Sequence, residues 1–287
     1  MFRIGTCSWK YDSWAGIVYS GSKIKNHLKE YSRKFNTVEI DQWFWSLFPP
    51  AKAVLPKNKI VEEYRKSVPD DFLFTIKVPN SITLTHFYRE TKVNELKPNP
   101  FFLSVELFNE FLSSIDAIKK QVGCLIFQFE YLNKQKMISL SEFQKYFKEF
   151  YVQLNKKIPQ IGIEIRNPNY LNEKYLSFLS ELNIAPVFLE GYYMPPVTEV
   201  YDKFKKHFNN IVVIRLHGPD RKGIEKIAGD NWNQIYINRD REIKSLVGMI
   251  KELQKKEVDL FVNVNNHFEG SAPLTIEKIK RMINNQI

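Results

Sequence analysis

Thr37-Val38-Glu39-Ile40-Asp41 is the stretch on which the fold turns. On an extended chain successive side chains point to opposite faces, so Val38 and Ile40 share one face while Glu39 and Asp41 share the other. The same parity recurs in Ile163-Glu164-Ile165-Arg166, Ile214-Arg215-Leu216-His217 and Phe261-Val262-Asn263-Val264-Asn265. An aliphatic face paired with a polar face that shows only near the strand's C-terminal end predicts parallel strands packed outward on helices. Their last inward residues then open into a shared polar site, as in the active site of a βα barrel.

Outward from these stretches, strand-like and helix-period segments alternate along the whole chain. Strands are expected at 2–8, 36–41, 72–77, 123–129, 160–166, 184–190, 210–217 and 258–265. Helices are expected near 24–34, 56–66, 101–120, 139–154, 170–182, 198–207, 240–256 and 274–285. Ile243, Leu246, Val247, Ile250 and Leu253 show the helical period clearly. This alternation implies βαβ units and a parallel sheet. Eight units in 287 residues fit an α/β chain folded as a (β/α)8 TIM-type barrel. A doubly wound sheet would carry a glycine-rich phosphate turn after its first strand, where Ser8-Trp9-Lys10-Tyr11 stands instead. No repeat, low-complexity tract or linker divides residues 1–287, so one domain is expected. Phe48-Pro49-Pro50 and Tyr193-Met194-Pro195-Pro196 each follow a strand and read as shaped loops.

A hydrophobic content of 44%, with 14% aromatic, supports a sizeable core and excludes disorder. The formal charge of +10 favours anionic partners, nucleic acid among them. Yet Lys23-Ile24-Lys25, Lys205-Lys206 and Lys255-Lys256 are spread along the chain, which reads as dispersed lysine rather than one basic patch. Cys7 and Cys124 form neither a disulfide framework nor a CxxC site, and each sits in a strand as a small buried hydrophobe. Met1-Phe2-Arg3-Ile4-Gly5-Thr6 reads as a first strand rather than a signal peptide. No apolar run approaches the ~20 residues that span a bilayer. A cytoplasmic protein without a membrane partner is expected, its oligomeric state left open.

Ile4-Gly5-Thr6-Cys7-Ser8-Trp9 is followed by Trp14, Gly16 and Tyr19, and then by Phe35-Asn36-Thr37-Val38-Glu39-Ile40. Phe74-Thr75-Ile76-Lys77 with Thr85-His86, Glu164-Ile165-Arg166, and Arg215-Leu216-His217-Gly218 come next. Asn265-Asn266-His267 with Gly270 and Ala272-Pro273 closes the series. In this order and spacing the chain resembles, from end to end, the YecE-like family (domain of unknown function 72). The resemblance implies a TIM barrel and no settled activity. Asp41-Gln42-Trp43-Phe44-Trp45 departs from the family pattern, which tends to have Asn, a small hydroxyl residue and Phe-Tyr there.

On a barrel, the polar faces collect Glu39 and Asp41 from the second strand, Lys77 from the third and Gln128 from the fourth. Glu164 and Arg166 come from the fifth, Arg215 and His217 from the seventh, and Asn263 and Asn265 from the eighth. His86, Asn266 and His267 follow in loops at the same rim, and Trp9 after the first strand. Charges removed from water cost several kcal/mol unless paired, so these groups must neutralise one another or a ligand. The bland outcome is an internal network, Glu39 with Arg215 and Glu164 with Lys77.

The favoured functional reading is an enzyme acting on a small anionic, phosphorylated or nucleic-acid-derived substrate. Glu39, Glu164, His217 and Lys77 are its candidate acid/base residues. Trp9, Asp41, His86, Gln128, Arg166, Arg215, Asn265, Asn266 and His267 are its candidate ligand-binding residues. Segments 217–223 and 266–271 lie where many TIM barrels hold phosphate, with Ser271 expected to cap the last helix.

A second reading lets Glu39, Asp41, Glu164, His217 and His267 hold a divalent metal for hydrolysis, as in a metal-dependent hydrolase or nuclease. No HxH or HxxxH spacing supports it, and Lys77, Arg166 and Arg215 would repel a cation. No metal or other cofactor is assigned. A third reading is a non-catalytic nucleic-acid-binding barrel. All five tryptophans (Trp9, Trp14, Trp43, Trp45, Trp232) fall in predicted rim loops, together with Tyr11, Phe87, Tyr88, Tyr192 and Tyr193. Bases or sugars could stack on such rings, although most large aromatics pack inward.

Overall fold

The structure, a computed structural model, describes residues 1–21, 23–88, 96–155, 157–208 and 210–284. Eight parallel strands close into one barrel. They are β1 (Phe2–Cys7), β2 (Thr37–Ile40), β3 (Leu73–Lys77), β4 (Val122–Gln128), β5 (Ile161–Glu164), β6 (Ala185–Gly191), β7 (Ile211–Gly218) and β8 (Asp259–Val264). Their order round the barrel is β1-β8-β7-β6-β5-β4-β3-β2, and β2 pairs back onto β1. Each expected strand is present within two residues of its predicted limits.

The apolar faces divide between two layers. Val38, Ile40, Phe74, Ile76, Ile163, Ile214, Leu216, Val262 and Val264 point outward into a large cluster shared with the helices. Inside the barrel, Cys124, Ile126, Ala185, Val187, Val213 and Phe261 form a separate small cluster. It fills the lumen below the polar residues, so the barrel has a solid floor rather than a pore.

The helices are α1 (His27–Tyr31), α2 (Asn58–Ser67), α3 (Asn80–Thr83), α4 (Val105–Ser114), α5 (Leu140–Tyr151), α6 (Glu173–Glu181), α7 (Val197–Phe204), α8 (Arg221–Ala228), α9 (Asp240–Lys255) and α10 (Ala272–Asn284). Side-chain caps set several starts. Ser104, Ser139 and Asn172 accept backbone N–H groups of Leu107, Glu142 and Tyr175, as short polar residues do at N-caps.

The expected helix over 101–120 starts at Val105 and gives way to a 3-10 turn at Asp116–Gln121. The expected helix over 198–207 likewise ends at Phe204 and continues as a 3-10 turn. Residue 285, the expected end of the last helix, lies outside the described residues. Helices α3 and α8 were not expected. The first is four residues of mostly polar sequence, and the second buries only Ile224 and Ala228, too little apolar period to read.

Among the loops, Phe48-Pro49-Pro50 belongs to a short antiparallel pair, Leu47–Phe48 with Lys52–Ala53, after β2. Asn80 fastens this hairpin to α3, its Oδ1 accepting the N–H groups of Ser46 and Leu47. No helix among the described residues is long and apolar enough to cross a membrane.

Candidate functional site

Parity places the polar residues inside the barrel at its C-terminal end, in two tiers. The lower tier centres on Arg215, which is 1% exposed. Its Nε and one terminal nitrogen each donate to Glu39 at 2.7 Å, a two-pronged contact spanning the lumen from β7 to β2. The other terminal nitrogen donates to Gln128 at 3.0 Å and to Glu164. Glu39 also accepts from Asn263 at 3.1 Å, and Asn263 donates to Thr75 as well. A planar guanidinium suits this task because its fork of donors can meet two carboxylates in one plane.

Arg166 extends the network upward. Its Nε donates to Glu164 Oε1 at 3.0 Å, while its terminal nitrogens make no hydrogen bond among the described residues. Burial favours the neutral Glu164 carboxyl, but Arg215 and Arg166 outweigh burial and hold it down to about 2. The expected pair between Glu39 and Arg215 is present. Glu164 pairs with the two arginines instead of Lys77: Arg166 stands two residues further along the same chain, and Arg215 reaches it from β7.

The upper tier opens into a cavity of about 420 Å3, a size typical of small-molecule sites. Asp41, Lys77, Gln128, Arg166, Arg215, His217 and Asn265 line it from the strand ends, and His267 from the loop after the last strand. Lys77 lies with its Nζ 3.6 Å from the centre of the Phe44 ring, and no carboxylate pairs with it among the described residues. Burial, reinforced by the positive charge of Arg215, pulls its ammonium down to about 8. Burial, reinforced by Glu39, pushes the Asp41 carboxyl up.

His217 is neutral for a similar reason. Burial and then Arg215 hold it well below the ordinary histidine value. Its Nε2 lies 3.8 Å from the Cys7 sulfur, and its buried Nδ1 has no partner among the described residues. Burial raises the Cys7 thiol, so it stays protonated. His267 contacts Glu225 at 3.2 Å and meets the Trp232 ring edge-on.

Other candidates stand elsewhere. Glu39 and Glu164 are fully buried beneath the cavity and do not line it. Trp9 is also fully buried, edge-on to Tyr64. His86 lies outside the cavity, its Nδ1 at 2.9 Å from Thr85 Oγ1. Asn266 is buried, and its Oδ1 accepts the backbone N–H of Ala272. That corrects the expected cap: Asn266 holds the start of α10, while the Ser271 hydroxyl has no partner among the described residues. Segment 217–223 runs from the end of β7 into a helix. It begins α8, whose first turn is capped by Asp220 through the N–H of Gly223.

The tryptophans divide. Trp9, Trp14 and Trp232 are buried, Trp43 stacks on Tyr64, and only Trp45 lines the cavity. Tyr11, Phe44, Tyr88 and Tyr192 complete its aromatic wall. Arg221, within the predicted 217–223 segment, also lines the cavity, and one charged lining residue, Glu130, escaped the sequence reading. Glu130 shares the parity of Gln128, a signal in plain view, but it lies past the strand end and pairs with Lys136. Among the described residues, no group of three or more His, Cys, Asp and Glu side chains is placed to hold a metal ion. The carboxylates that the metal reading would need from β2 and β5 are instead bound to Arg215. A cavity of similar size at the opposite end, around Tyr151, Ile158 and Leu182, carries no Asp, Glu, His, Lys or Arg among the described residues.

Fold and mouth together define a (β/α)8 barrel with a polar, mixed-charge cavity at the C-terminal ends of its strands. The chain belongs to the protein family of unknown function DUF72, whose model matches residues 3–287. Two solved structures are similar over nearly the whole chain. A DUF72 family protein from Enterococcus faecalis V583 has 20% identity and a TM-score of 0.68, with 100% of this chain and 97% of that one covered. One from Thermotoga maritima MSB8 has 20% identity and a TM-score of 0.68, with 99% and 100% covered. At such identity they show the shared fold. No curated protein matches the chain.

Proposed function

We propose that this protein is an enzyme that performs acid/base chemistry on a small anionic substrate held in the barrel mouth. The observation that carries the reading is the pair Lys77 and Asp41, facing one cavity with no ion pair among the described residues. A carboxyl displaced upward and an ammonium displaced downward both approach the range where protons exchange readily near neutral pH. Glu39 and Glu164 serve beneath them as positioning residues that fix Arg215 and Arg166. The terminal nitrogens of Arg166 receive the anionic group, and the Tyr192 ring lies 5.3 Å from its guanidinium carbon. Neutral His217 offers a hydrogen bond rather than a charge.

A thermal-shift series with inorganic phosphate and small carboxylates tests this. Wild type is expected to melt higher with one class of anion, and Arg166→Ala to lose the shift. If no anion class moves the wild-type melting point, the reading fails.

Exposed rings favour a second reading, a stacking surface for nucleic acid. Trp45 and Tyr88 are in contact at the cavity edge, and Tyr131 and Tyr193 meet nearby. Affinity for single-stranded oligonucleotides that Trp45→Ala weakens and Asp41→Asn leaves intact would favour binding without catalysis.

A further inference from the structure

Lys77 ends β3 with its side chain turned into the cavity, over the face of Phe44 and beside the guanidinium of Arg215. An ion-pair role would need a carboxylate at its Nζ, and among the described residues none lies within pairing distance. Burial and the positive charge of Arg215 favour the free amine, and they outweigh the Phe44 ring face, which by itself favours the ammonium. Desolvation beside another cation is a recognised way to activate a lysine as a nucleophile toward carbonyl carbon.

We propose that Lys77 forms a Schiff base with the carbonyl carbon of a small anionic aldehyde, ketone or 2-oxo acid bound in this cavity. The proposal rests on the acid/base reading above and names its substrate class. The neutral amine attacks the carbonyl carbon, forming the C–N bond as the C=O electron pair moves to oxygen. That oxygen takes one proton, and the attacking nitrogen releases one, giving a carbinolamine. The hydroxyl then leaves as water after protonation by Asp41, and the nitrogen lone pair closes the iminium. No oxidant or reductant is consumed. The anionic group of the substrate meets Arg166, whose terminal nitrogens face no protein acceptor among the described residues. The amine value of about 8 supplies a usable free-base fraction near neutrality.

Borohydride trapping with pyruvate, and separately with dihydroxyacetone phosphate, tests the step on the full chain. One reduced adduct is expected on the peptide carrying Lys77, in preference to exposed lysines such as Lys25 and Lys57. Its rate should rise with pH through about 8. Lys77→Met should lose that adduct, and peptide mapping of wild type reads the site even if the variant folds poorly. An adduct spread evenly over surface lysines overturns the proposal. So does a probe that stabilises wild type thermally but gives no Lys77 adduct, and in that case the broader acid/base reading stands. If neither probe nor any other anion shifts the melting point and no adduct forms, both readings fall.

Discussion

At the scale of the residue, Arg215 is the hinge of the barrel mouth's energetics. Two fully buried carboxylates meet one guanidinium, and Glu164 has Arg166 besides. Removing one partner of a buried ion pair leaves uncompensated charge, so Arg215→Met should destabilise the fold by ~3–5 kcal/mol in urea denaturation. Combining it with Glu39→Leu and Glu164→Leu should recover most of that loss, since an apolar fill has no charges to desolvate. Two pH effects follow from single groups. Glu164 stands at about 2 in the fold against an ordinary 4.5, so its stabilisation is complete above 4.5 and lost as pH falls through about 2. Lys77 stands at about 8 against 10.5, so stability should rise as pH climbs across that interval, where the unfolded chain still holds the proton. Denaturation midpoints of Lys77→Met should lack the alkaline rise, and those of Glu164→Gln the acid slope.

At the scale of the element, the strand ends decide what reaches the cavity. Gly191 and Gly218 lie side by side where β6 and β7 finish, and Tyr192 N–H donates to the Gly218 carbonyl. Gly218 has a φ of 75°, and a Cβ there would sit 2.6 Å from the His267 carbonyl oxygen. Gly218→Ala should therefore cost ~1–3 kcal/mol, seen as a lower melting temperature, because a side chain meets both strain and a clash. The strands were the most legible elements, since a two-residue period with Val and Ile on one face has no helical reading. The helix starts were less so: Asn26, Ser104 and Asn172 are caps only because a backbone N–H stands over each side chain. Helix α8 was invisible for a related reason, as its basic, glycine-bearing sequence is helical through Asp220 and two buried residues rather than through pattern.

At the scale of the whole molecule, a ligand held by groups from β2, β3, β5 and β7 can bind only the closed barrel. Binding must then raise overall stability, by ~2.7 kcal/mol at a hundred times the dissociation constant. Urea midpoints measured with and without saturating ligand check this, and the gain should vanish in Arg166→Ala. The sequence by itself determined the eight-strand alternation, the inward parity of Glu39, Asp41, Lys77, Glu164, Arg166, Arg215 and His217, and the barrel that joins them. Local periodicity is a property of the chain, so it can be read there. Only the tertiary structure decided that Glu39 and Glu164 lie under the cavity, bound to Arg215, while Asp41 and Lys77 face it without ion-pair partners among the described residues. Which charges neutralise one another depends on distances across the lumen, between residues as far apart in the chain as 39 and 215, and on the depth at which each strand delivers its side chain.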